Sequence, residues 1–249
     1  MPPIATLSPI VELRQYTLHP CKRDVLIDLF DREFVESQET LDIDVIGQFR
    51  DDDDPDRLVW LRGFQDMTTR AQSLHAFYGG PVWKAHRDAA NATMIDSDNV
   101  LLLRPARVGS GFSTDVGSRP SQGATAAGPG CVVATVHPLD ASVRHAMLDY
   151  FDRTLAPAMA HSGWVVLGMF VTEESANTFP ALPVRENENV FVWFAGSVDA
   201  PAELDLPDGD APGTTAPPPR LRLIPTARSL LTGRSHACPA VSGSRERRA

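Results

Sequence analysis

The sequence predicts an α+β protein: two β-α-β-β-α-β repeats in tandem, their antiparallel sheets closing as a barrel with helices outside. Three observations lead there. Short segments recur in the same order along the chain. Each half alternates strand-like and helix-like patterns in that element order. A Gly/Ser/Pro-rich stretch divides the halves. The recurring segments are "LHP" at 18–20 and "VHP" at 136–138, "DLFDREF" at 28–34 and "DYFDRTL" at 149–155, and "VIGQF" at 45–49 and "VLGMF" at 166–170. "VWLRGF" at 59–64 returns as "VWFAGS" at 192–197, and "LLLRPA" at 101–106 more weakly as "LRLIPTA" at 221–227. Ordered self-similarity of this kind marks a tandem duplication.

Each element has its own signal. "IVELRQYTL" at 10–18 alternates as a strand does. Between 22 and 40, Val25, Leu26, Leu29, Phe30 and Phe34 recur at helical spacing opposite Asp24, Asp28 and Asp31. Strands at 44–50 and 57–64 are joined by "DDDDPD", which lacks the glycine and terminal glutamate of a calcium loop and reads as a solvated hairpin. Helices follow at 66–76 and 80–94, and a strand at 99–105. This is the ferredoxin-like order, which covers one sheet face with helices. The bare face costs roughly 25 cal/mol per Å² if left exposed, so the two sheets are expected to pack on each other. The expected units are a first half at 8–107, a flexible linker at 108–130, a degenerate second half at 131–232 and a disordered tail at 233–249. In the second half "LPDGDAPGTTAPPP" stands where the last helix belongs and cannot be helical throughout.

Composition narrows the function. At 249 residues each half can bury a core. A net charge of -9 and the lack of a basic stripe exclude a nucleic-acid partner. No apolar run is long enough for a membrane span, and no basic-then-apolar leader opens the chain, so a cytoplasmic protein is expected. Cys21, Cys131 and Cys238 lack metal-type spacing and fit a reduced compartment. Zinc, nucleotide and serine-hydrolase motifs are missing, so no metal or cofactor is expected. Heavy use of Ala, Arg, Asp and Pro with little Lys suggests a GC-rich bacterial genome.

Strand alternation groups Arg14 with Tyr16, and Trp60 with Arg62 and Phe64, while Gln48 can join them from the second strand. The plainly apolar sets are expected under the helices and these mixed sets inside the barrel. Trp193 repeats Trp60, but Ala195 replaces Arg62, so the first half reads as ligand-bearing and the second as scaffold. A buried arginine is costly unless it meets an anion. That anion is either a ligand or Glu12 across the sheet. "FYGGPVWKAHRDAANATM" at 77–94 breaks at Gly79 and Gly80 and restarts a helix at Pro81. Its Trp83, His86 or Arg87, Ala90 and Met94 share a face. If that face meets a pocket, His86 is the best acid or base. Otherwise Trp83 and Met94 pack on the sheet while His86 and Arg87 cap the rim. The candidate catalytic residues are therefore Tyr16, Arg62 and His86, with Arg14, Gln48, Trp60, Phe64, Tyr78, Trp83 and Arg87 as ligand contacts.

"VELRQYTLHPCKRDVLIDLFDREF", the "VIGQF" strand and "VWLRGFQDMTTRAQSLHAFYGGPVWKAHRD" resemble the NIPSNAP family of the dimeric α/β-barrel superfamily. The E-x-R-x-Y start (Glu12, Arg14, Tyr16) and the later Arg62, Arg70, Pro81 and Trp83 carry the resemblance, over about 11–105 well and 131–227 loosely. It implies a barrel fold, a homodimer and, for bacterial members, a place in small-molecule metabolism. Superfamily relatives include cofactor-free monooxygenases, isomerases and cyclases, and haem enzymes. Two functions lead: a cofactor-independent enzyme in which arginines hold an anionic or enolate group and Tyr16 or His86 moves a proton, and a non-catalytic scaffold with a filled barrel. A third, a haem or metal protein, would show as colour or bound metal in the purified protein.

Overall fold

The structure is a computed structural model; it describes residues 7–113, 118–199, 204, 206–207, 211–213 and 218–234. The first half contains β1 (Ile10–Leu18), α1 (Arg23–Leu29), α2 (Val35–Glu39), β2 (Asp44–Asp51), β3 (Arg57–Phe64), α3 (Met67–Gly79), α4 (Pro81–Asn91) and β4 (Met94–Pro105). The second contains β5 (Cys131–Pro138), α5 (Arg144–Tyr150), α6 (Ala156–His161), β6 (Val165–Thr172), β7 (Val190–Ser197) and β8 (Arg220–Pro225). Among the described residues between β7 and β8 there is no helix. Of the expected tail at 233–249, residues 235–249 lie outside the described residues.

The eight strands close into one antiparallel barrel in the order β1-β3-β2-β8-β5-β7-β6-β4. Each half keeps the ferredoxin-like strand order, β4-β1-β3-β2 and β8-β5-β7-β6, the second without the last helix among the described residues, and the edges meet through β2–β8 and β4–β6. Closure inside one chain leaves no sheet edge unpaired. The duplication is legible down to irregularities. Both β2 and β6 carry a bulge, between Val45 and Gly47 and between Val166 and Gly168. A Cβ on Gly47 would sit 2.6 Å from the Phe49 ring, and one on Gly168 2.7 Å from the Phe170 ring, so each strand needs its glycine for the ring to fold back. The repeated "FDRE/FDRT" segments are π-helical in both halves, Phe30–Phe34 and Phe151–Leu155.

The barrel interior corrects the expected sidedness. Val11, Leu13, Val59, Leu61, Phe170 and Phe194 fill it with other apolar side chains, whereas Tyr16, Trp60 and Phe64 lie in the core under the first half's helices. Arg14 and Arg62 share their face with Tyr16 and Trp60, so the mixed sets point outward to the helices. The physical reason is supply of partners. Eight strands surrounding an apolar interior offer a charge nothing to bond, whereas α2 and α3 bring Gln38, Arg70 and Tyr78 over the outer face. Two described residues of the 108–130 segment are held against the body of the protein. Phe112 is buried against Phe170 and Phe194, with ring centroids 4.7 and 5.1 Å away, and Arg119 pairs with Glu39.

Candidate functional site

The outer face of β1 and β3 holds four fully buried charged groups. Glu12 Oε2 accepts from Arg14 Nη1 and Arg62 Nε, each at 2.7 Å, and its Oε1 accepts from Arg70 Nε at 2.7 Å. All four side chains are wholly shielded from solvent. Strand register explains the set. Glu12 faces Arg62 and Arg14 faces Trp60 across the β1–β3 ladder, and α3, capped by Asp66 accepting from Thr69 N, lowers Arg70 onto Glu12. Burial alone would raise the Glu12 pKa, but the fields of Arg62, Arg14 and Arg70 prevail and hold it far below the carboxylate range.

One carboxylate does not balance three guanidiniums. Two positive charges remain, in a site walled by rings: Arg14 and Arg62 lie 5.6 and 5.2 Å from the Trp60 ring centroid. Among the described residues, the Nη2 of each arginine is buried without a hydrogen-bond partner, as is Trp60 Nε1. The bland partner of Arg62 is thus present as Glu12, and the cluster still carries unspent positive charge.

Above this layer a cleft opens between sheet and helices, lined by Tyr16, Gln38, Trp60, Tyr78, Trp83 and Met94 with further apolar residues. Arg14 Nε donates to Tyr16 Oη at 2.9 Å, and Arg62 Nη1 makes longer contacts to Tyr78 Oη at 3.4 Å and Gln38 Oε1 at 3.5 Å. Burial pushes the Tyr16 phenol above its ordinary range against the pull of Arg14, so it is a hydrogen-bond donor and acid rather than a base. The free volume is about 30 Å³, enough for water and too small for an organic substrate. A ligand must therefore displace a wall. The best candidate is α4, which follows Gly79–Gly80 and buries only Ala90.

The other candidates lie apart from the cleft. His86 Nε2 is 3.4 Å from Glu33 Oε2 and a third exposed, so it caps the rim while Trp83 and Met94 line the cleft. Arg87 is exposed beside Asp88. Gln48 is buried but donates to Asp31 Oδ1 at 2.8 Å. Phe64 packs beside Arg62.

Sequence reading missed a contribution from the second half. The β6–β7 connection, 173–189, is much longer than its counterpart 52–56 and crosses onto α3. There Asn177 Oδ1 and Thr178 Oγ1 accept from Arg70 Nη1 at 3.0 and 3.1 Å, and Phe179 stacks on Tyr78 at 5.6 Å. The signal in the sequence was the unequal spacing of the repeats, which placed the extra residues between "VLGMF" and "VWFAGS".

Among the described residues the second half has no such cluster. Arg14 faces Trp60 as Thr135 faces Trp193. Glu12, Arg14, Tyr16 and Arg62 therefore correspond to Val133, Thr135, His137 and Ala195. This register also shows that the "LHP"/"VHP" match is out of step, since His137 stands at the Tyr16 position. His137 Nε2 accepts from Trp193 Nε1 at 3.0 Å, and burial, with Arg220, pushes its pKa down to about 4 from the ordinary 6.5. The unfolded chain takes up this proton first. Stability from neutral His137 is complete above pH 6.5 and lost as pH falls toward 4, a contribution of ~3 kcal/mol at most. Melting temperature followed across that window should fall less in His137→Gln, which keeps an acceptor and does not titrate.

Residues 11–109 match the NIPSNAP family model. This first half carries the Glu12–Arg14–Tyr16 face. Among curated proteins none matches the chain. Similar solved structures include a NIPSNAP-like domain protein of Burkholderia xenovorans, 28% identical, covering 39% of this chain and 84% of its own, with a TM-score of 0.36. Two proteins described as inferred monooxygenases span both halves. The one from Lactobacillus acidophilus is 12% identical, covers 89% of this chain and 97% of its own, and has a TM-score of 0.50. The one from Fusobacterium nucleatum is 10% identical, with 88% and 93% covered and a TM-score of 0.52. Both show the fold of the whole barrel. Among the described residues no helix is long and apolar enough to cross a membrane.

Proposed function

We propose that the first-half cleft binds a small anionic metabolite and that the protein is a cofactor-independent enzyme of bacterial small-molecule metabolism, acting as an isomerase, cyclase, lyase or monooxygenase. The observation that carries this reading is the excess of buried positive charge beside the cleft, with one carboxylate among three arginines. Such charge is expensive in a fold that the second half builds without it. The arginines act from behind, charging the floor and orienting the hydroxyls above it, while Tyr16 is the proton-transfer group. His86 is too far toward the rim for that role in this conformation. A homodimer, as the resemblance implies, would associate two barrels that are already closed.

A scaffold reading has its own support. The barrel is filled by side chains, and the cleft admits only water as it stands. The discriminating experiment is mass spectrometry of small molecules released when protein purified from its own host is denatured, preceded by an absorbance spectrum. A stoichiometric organic anion is the expected result. An empty protein that also fails to bind any member of a metabolite library would leave the scaffold reading standing.

A further inference from the structure

We infer that Tyr16 and Tyr78 form a paired-hydroxyl oxyanion site, and that it takes a flat, unsaturated compound carrying an enolate or phenolate oxygen. This rests on the cleft being a ligand site and adds the chemical class of the ligand. A guanidinium has donors only. Arg14 Nε, 2.9 Å from Tyr16 Oη, therefore occupies a lone pair of that oxygen and leaves the phenolic hydrogen to point elsewhere. Arg62 Nη1 stands to Tyr78 Oη in the same relation at 3.4 Å. Neither hydroxyl donates a hydrogen bond among the described residues, and both tyrosines line the one cleft.

The rest of the lining sets the ligand's shape. Phe30, Phe34, Phe77, Trp83 and Met94 offer ring faces and a thioether, while the hydroxyls of Tyr16 and Tyr78 and the Gln38 carboxamide meet the paired arginines Arg14 and Arg62. Two hydroxyl donors suit a single oxygen whose charge is delocalised into a planar system. A phosphate or sulfate would need more donors than this end presents. A hydrogen bond accepted from an arginine polarises each hydroxyl and strengthens it as a donor. The Tyr78 ring is fixed from the second half by Phe179 at an interplanar angle of 20° and from α4 by Trp83 at 4.9 Å. The second half, with His137 and Ala195 at the Tyr16 and Arg62 positions, cannot build the pair.

The test uses para-nitrophenol, whose phenolate absorbs visibly and so reports its own ionisation when bound. Absorbance titration over pH should show the protein binding the phenolate in preference to the neutral phenol, so that the probe ionises at lower pH in the complex. Tyr16→Phe and Tyr78→Phe keep the rings and hence the packing. Each should weaken phenolate binding about ten- to a hundredfold, as expected for one hydrogen bond to a charged oxygen, with little change for the neutral phenol. The titration is repeated in Trp83→Ala, whose opened cleft removes any steric bar to the probe. Preference for the neutral phenol, or phenolate affinity unchanged in either Phe variant, would overturn the paired site. Refusal of the probe by both proteins would overturn it as well. If the purified protein nevertheless released an organic anion, the small-molecule reading would survive that failure.

Discussion

Replacing Glu12 with Gln is expected to cost about 3–5 kcal/mol of folding stability, the usual consequence of removing one partner from a buried ionic set. Glu12 receives hydrogen bonds from Arg14, Arg62 and Arg70 at 2.7 Å each. Without its charge, three guanidiniums would face one another in a site shut off from water. Urea unfolding at neutral pH measures the loss. The same experiment separates two readings of Arg62. An Arg62 that served a ligand alone would leave the melting temperature nearly unchanged on replacement by Ala. A wholly buried Arg62 bonded to Glu12 predicts a clear drop instead. A second variant decides whether the cluster exists for stability. Glu12→Val with Arg14→Met, Arg62→Met and Arg70→Met removes every charge at similar volume, and should recover to within about 2 kcal/mol of the parent or exceed it. Recovery would mean the fold does not need the charges. Failure to recover would make the cluster structural. The pH dependence has a definite sign. The Glu12 carboxyl is held far below its ordinary value in the folded state. Its contribution is therefore complete above about pH 4.3, the unfolded range, and lost as pH falls below it. Glu12→Gln should lack that part of the acid sensitivity.

How much of this was legible in sequence follows from what each signal measures. The repeats and periodicities marked every strand of both halves, because alternation and spacing are local consequences of backbone geometry. The E-x-R-x-Y stretch and the Arg62-to-Ala195 exchange pointed to the half that holds the buried charged cluster. Sidedness failed, since alternation sorts residues into two faces without saying which face is the barrel's interior. The rule that apolar sets lie under helices was the wrong tie-breaker here, as a closed barrel is the drier of the two places. Glu12 could be named as a partner of Arg62 because antiparallel strands put such residues opposite one another. Its sharing with Arg70 could not, for Arg70 arrives on a helix whose tilt no local pattern encodes. Phe179 was invisible for the same reason, being distant in sequence and delivered by an irregular connection.

Phe179→Ala is expected to destabilise the protein by about 3 kcal/mol, and the damage should appear in the other half of the chain. Phe179 is buried in the core beneath the first half's helices, stacked on Tyr78 and 4.7 Å from the His75 ring. Its neighbours Asn177 and Thr178 hold Arg70 Nη1, and Thr178 Oγ1 also donates to Met67 O at 3.1 Å. The strap thus fastens both ends of α3. Hydrogen exchange should show protection falling over Met67–Gly79 while the second half's own helices keep theirs. Loss confined to residues 131–199 would mean the strap only decorates α3. The second half thus closes the barrel through β5–β8 and supplies the wall that orients Tyr78 and holds Arg70, so it encloses a charged cluster to which its own strands contribute no charge.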